Sequence, residues 1–185
     1  MRVALFVTCL VDLMRPRIGF AAIKLLEAAG CQVTVPSRQT CCGQPAYNSG
    51  DRAGAIALAK KTIGEFEGYD CVVAPSGSCA DQIRNEYPRL LADEPEWLRG
   101  AEALASRVYE LTDFLVNVVK LERIPGEFSG SVTYHDSCTG LRGLAIKQQP
   151  RALLGRMPNV TLKEMAAGSM TKPGAKDASA MRRRV

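Results

Sequence analysis

Three short apolar runs, at residues 2–8, 31–35 and 69–74, alternate with helix-patterned stretches, and thiols follow each run closely. Strands separated by helices are joined by crossovers, so they build a parallel sheet with helices on its faces. The carboxyl ends of such strands share one edge, where open α/β sheets bind ligands. Cys9 ends the first run. Cys41 and Cys42 follow the second on a loop, 37–50, rich in Gly, Pro, Asn and Ser. Cys79 leaves the third run through Pro75-Ser76-Gly77-Ser78. Four thiols from three connections are therefore expected at one sheet edge. Cys31 and Cys71 open their strands at the opposite edge, where they read as small buried apolar residues.

Between these strands, Pro16 starts a helix that stops at Gly30, and Asp51 caps a second with Ile56, Ala59, Ile63 and Phe66 on one face. Residues 80–119 read as a helical connector packed on the sheet, interrupted at Pro88 and Pro95, with Trp97 as packing. A Pro- and Gly-bearing linker covers 122–130. The opening pattern then returns: a strand at 131–134 leads to His135-Asp136-Ser137-Cys138, a helical segment and a strand at 160–165. Repeating the spacing of the first copy would put a second double cysteine near position 170, where Ala166-Ala167-Gly168-Ser169-Met170 stands. The expected fold is α/β, a Rossmann-like parallel sheet in two related halves with the second incomplete. Residues 1–124 form the first half with its connector, 125–165 begin the second, and 166–185 are expected to be a basic, disordered tail. A shifted reading frame or premature end of a longer gene would explain that tail.

With 185 residues the chain suits one domain that needs no covalent staples. Its seven cysteines are odd in number, and neighbouring Cys41 and Cys42 cannot readily close a disulfide with each other. Two thiols side by side, with Gly43 to let the backbone pass close to a bulky group, suit a metal centre better. No run is long enough to span a membrane and the start lacks a signal-peptide pattern, so a reducing cytoplasm is the expected location. The net charge of +5 is concentrated in Lys172, Lys176, Arg182, Arg183 and Arg184 against Asp177 alone. The rest is nearly neutral and carries no nucleic-acid recognition motif, so no nucleic-acid partner is expected.

Cys9, Cys41, Cys42 and Cys79 can hold a [4Fe–4S] cluster, one thiolate per iron, with the wide spacing supplied by a folded sheet. Zinc also accepts four thiolates, although structural zinc sites usually draw on close C-x-x-C pairs, absent here. That leaves a non-catalytic metal-binding or docking subunit of an oxidoreductase as one alternative. A Cys138/His135 thiol enzyme is another, because the only histidine lies three residues before Cys138. Neither a dinucleotide fingerprint nor a phosphate-binding P-loop is present.

Five segments carry a resemblance: Phe6-Val7-Thr8-Cys9-Leu10-Val11-Asp12, Cys41-Cys42-Gly43-Gln44-Pro45-Ala46-Tyr47-Asn48-Ser49-Gly50, Pro75-Ser76-Gly77-Ser78-Cys79, Glu110-Leu111-Thr112-Asp113-Phe114 and His135-Asp136-Ser137-Cys138. In them the chain resembles the cysteine-rich CCG-domain family, most closely its lactate utilisation protein A group. The resemblance implies an iron–sulfur protein of two related α/β halves that acts with two companions, one also iron–sulfur, in oxidising L-lactate to pyruvate. It implies an electron-transfer subunit with Cys9, Cys41, Cys42 and Cys79 as ligands of one cluster. The wider family often has Cys-x-x-Cys where Ser76-Gly77-Ser78-Cys79 stands, which favours four ligands and an ordinary cluster. The second Cys-Cys-Gly is missing, so Cys138 is expected to be an orphan ligand of an incomplete second site and the function to be impaired.

Overall fold

The computed structural model describes residues 1–165, and the expected basic tail lies outside them. Four strands, β1 (Arg2–Leu5), β2 (Gln32–Thr34), β3 (Cys71–Ala74) and β4 (Val108–Glu110), form a wholly parallel sheet in the order β2-β1-β3-β4. Register pairs Val3 with Val33 on one side and with Cys71 on the other, and Val73 with Tyr109. Because side chains alternate across a strand, Ala4, Phe6, Val72 and Ala74 enter one core layer, while Val3, Leu5, Cys71 and Val73 enter the layer on the opposite face. The first layer is closed by helices α4 (Arg52–Glu65), α6 (Tyr87–Leu90) and α7 (Pro95–Ala105). Helix α2 (Pro16–Ala28) and a π-helical turn at Phe114–Val118 close the second.

Strand β4 corrects the expectation of a helical connector over 80–119. Its three residues are too short to announce a strand by alternation, and pairing with β3 defines them. Pro88 does not break the path either. A π-helical turn, Gln82–Glu86, joins α5 (Gly77–Asp81) to α6, and Pro88 follows directly on that turn. Pro95 occupies the first position of α7. Trp97 packs against the core layer with Lys60 5.4 Å from its ring centre.

A second, two-stranded parallel sheet pairs β5 (Gly130–Val132) with β6 (Val160–Leu162). Helices α9 (Cys138–Gly143) and α10 (Gln148–Gly155) lie between them, repeating the order of β1, α1 (Cys9–Met14), α2 and β2. The two copies share a local device. Thr8 caps α1 by accepting from the Val11 N–H, and Ser137 caps α9 by accepting from the Gly140 N–H, both in extended backbone. Cys9 and Cys138 are thereby the first residues of equivalent helices. Arg151 of α10 fixes the second copy, reaching Asp136 with two hydrogen bonds of 2.7 and 2.9 Å and Glu164 with two of 2.7 and 3.0 Å. Among the described residues no helix is long and apolar enough to cross a membrane.

Candidate metal centre

Gln39 is the residue that brings the first two connections together. Its side-chain oxygen accepts from the Val7 N–H at 2.8 Å, and its amide donates to the carbonyls of Leu5 and Pro36. The loop after β2 is thus pinned to the chain leaving β1. As a result Cys9 Sγ lies 3.7 Å from Cys41 Sγ, far beyond a disulfide bond length, and both thiols are free.

Cys42 belongs to the core layer, where it is 2% exposed, and also lines the cleft. Gly43 turns the chain after it by taking φ +82°, a conformation that a side chain disfavours. A Cβ at Gly43 would also meet Leu58 Cβ at 3.3 Å. The buried Tyr87 hydroxyl donates to the Cys42 carbonyl at 2.8 Å and so holds the double cysteine from beneath. Burial pushes the Tyr87 hydroxyl well above its ordinary pKa, so it stays a donor. Replacing Tyr87 with Phe leaves a buried carbonyl without its partner and is expected to cost about 1–3 kcal/mol, read as a lower midpoint in urea. Gln39→Ala removes bonds to Val7, Leu5 and Pro36 and is expected to release Cys41, read as faster alkylation of that thiol than in the unaltered protein.

Cys79 lies in the first turn of α5 and not in a turn before it, as the sequence had suggested. The neighbouring Cys42 thiol first, and the Ser76 and Ser78 hydroxyls, lower the Cys79 pKa to about 7 against the opposing effect of burial. The same pairing, then burial, pushes Cys42 up. Burial first and Cys41 second raise Cys9. Ionised thiolates are the form that metals bind.

Cys9, Cys41, Cys42 and Cys79 all line one cleft of about 520 Å³, as the sequence predicts for the carboxyl edge of the sheet. Cys138 lines it too. Among the described residues no three Cys, His, Asp or Glu side chains converge tightly enough to grip a single ion. The thiols line a shared cleft, and thiolates are the soft donors that iron–sulfur clusters and zinc both accept. Cys31 and Cys71 are buried near the far end of the strands, with raised pKa values due first to burial, as expected of packing residues. His135 is exposed, and among the described residues no hydrogen bond joins it to Cys138.

Gln39 and Tyr87 escaped the sequence reading because each acts through a backbone group brought near only by folding. The hint for Gln39 was its place two residues before the double cysteine. Tyr87 gave none.

The profile of the CCG cysteine-rich domain matches residues 3–84, the segment holding Cys9, Cys41, Cys42 and Cys79. The chain is 42% identical over 165 residues to lactate utilization protein A of Bacillus cytotoxicus, covering 89% of this chain and 69% of the relative. Identity is 46% over 162 residues to the protein of that name from Geobacillus sp. (strain WCH70), covering 88% of this chain and 68% of the relative. For Bacillus licheniformis it is 47% over 154 residues, covering 83% and 64%. With such identity spread over most of its length, and the cleft's first four thiols inside the matched domain, the chain belongs to the cysteine-rich CCG family of lactate utilization protein A.

Proposed function

We propose that Cys9, Cys41, Cys42 and Cys79 hold one [4Fe–4S] cluster and that the chain is an electron-transfer subunit of a system oxidising L-lactate to pyruvate. The observation carrying this reading is that these four thiols line one cleft, brought there by the three connections that leave the ends of parallel strands. The cluster would supply one-electron chemistry. The chain's own residues bind and orient: Gln39 and Tyr87 hold the double cysteine, Gly43 turns it, and Ser76 and Ser78 steady the Cys79 thiolate. Among the described residues the cleft is lined by no carboxylate, histidine or lysine, and we assign the substrate chemistry to a companion protein.

Leu10, Leu13, Met14 and Phe20 are 65–77% exposed on α1 and α2, beside Cys9. Such an apolar face next to the cleft supports contact there with a companion iron–sulfur protein, which keeps the electron path short. A cytoplasmic location follows from the need for free thiols. The relatives' printed name supports the substrate class, and residues 125–165 are read as part of a second related half. The test is to mix anaerobically reconstituted protein with its candidate lactate-oxidising companions and L-lactate, and to follow bleaching of the cluster absorption. Lactate-dependent bleaching supports the role; a cluster reducible by dithionite but never by the lactate-loaded companions would overturn it.

A further inference from the structure

We infer that Cys9 and Cys41 are a reversible dithiol site, oxidised to an intramolecular disulfide by small disulfides of the glutathione class when the cleft carries no metal. The bond itself follows from the geometry of the two thiols; its consequence, a centre closed to loading, rests on the proposed metal centre. The two sulfurs are 3.7 Å apart, in contact, so no other atom fits between them. That approach is built into the fold. Gln39 ties the loop carrying Cys41 to the chain leading into Cys9, through the Val7 N–H and the Leu5 carbonyl, and ties the loop to itself through the Pro36 carbonyl. The pair is also reachable. A second cavity of about 340 Å³, lined by Val7, Asp12, Leu13, Pro36 and Gln39, lies beside the cleft, and Cys9 and Cys41 are the two residues that line both. They form a partition that a small molecule can meet from either side.

Neighbouring thiols do not compete for this bond. Cys42 and Cys79 are close to each other but only 2% and 8% exposed, so an oxidant in solvent reaches the half-buried pair first. Cys42 adjoins Cys41 in the chain, where a disulfide would strain the peptide between them. Closure takes two thiol–disulfide exchanges. One thiolate of the pair attacks a sulfur of the small disulfide, forming a mixed disulfide and releasing one small thiolate. The other thiolate then attacks the protein sulfur of that mixed disulfide, which closes the bond between Cys9 and Cys41 and releases the second small thiolate. Together the two cysteines give up two electrons, the small disulfide takes them, and the two thiol protons end on the two small thiols. Two of the four cleft thiols are then bonded to each other, and neither is a thiolate ligand until the bond is reduced.

The test is to incubate reduced, metal-free protein with oxidised glutathione in the absence of oxygen, alkylate the remaining thiols after unfolding, and map the peptides by mass. The Cys9 and Cys41 peptides are expected to be joined to each other and separated by dithiothreitol, with Cys42 and Cys79 recovered as alkylated thiols. Gln39→Ala, which frees the loop, is expected to turn the product from the joined pair toward glutathione adducts on Cys9 and Cys41. Cadmium(II), a soft ion that takes thiolate ligands, reads the consequence without requiring a cluster: its sulfur-to-cadmium absorption is expected to fall by about half or more in the joined form, as two of four thiolates are lost. Separate glutathione adducts on the unaltered protein, or Cys9 or Cys41 joined to another cysteine, overturn the inference and leave the metal centre standing. Equal cadmium absorption in joined and reduced protein overturns the closing of the centre. A joined pair in a protein whose reduced form binds no cadmium overturns the metal centre and leaves the dithiol site.

Discussion

Cys42→Ser is expected to lower iron occupancy after anaerobic reconstitution by roughly tenfold or more, since even residues that only support a metal ligand cost 10–100-fold when changed. Cys42, like Cys79, is a member of both the cleft and the core. It is 2% exposed, and its carbonyl is held by Tyr87. Serine is nearly isosteric, so far-ultraviolet circular dichroism of the metal-free variant should match that of the parent. Loss of iron without loss of helix content separates ligation from packing. Equal iron content in variant and parent would remove Cys42 from the ligand set.

The second large effect belongs to a residue with no chemistry of its own. Gly77→Val puts carbon atoms into the Gly140 backbone, which cannot yield as a flexible side chain could. Overpacking of this kind costs roughly 1–3 kcal/mol, and here relief comes from moving α9 away from α5. A lower thermal midpoint is therefore expected. An unchanged midpoint would show that the approach of Gly77 to the Gly140 backbone is not tight.

The parallel sheet and its thiol-bearing edge were legible because they depend on alternation and on where strands end, both local signals. The strand at 2–8 proved shorter, ending at Leu5, because Val7 gives its N–H to Gln39 and Thr8 turns to cap α1. Strand β4 was hidden for the converse reason: Val108, Tyr109 and Glu110 have no pattern of their own and are strand only beside Val72, Val73 and Ala74. At the site, residue type pointed to Cys9, Cys41, Cys42 and Cys79, as their chemistry is carried by the side chain itself. What positions them was not legible, since Gln39 acts on Val7 and Tyr87 on Cys42 through backbone groups distant in sequence. Cys138 was visible as a residue and as a repeat of Cys9. Its place on the wall of the first cleft follows the packing of α9 on α5, where Gly77 meets the Gly140 backbone.

The most direct measurement is iron and acid-labile sulfide on protein reconstituted without oxygen, joined to electron paramagnetic resonance after reduction with dithionite. The account predicts about four iron and four sulfide per chain, as for one [4Fe–4S] cluster, with a reduced-state signal that disappears in Cys42→Ser. A colourless protein that retains zinc and no sulfide, or a signal untouched by that substitution, would contradict it.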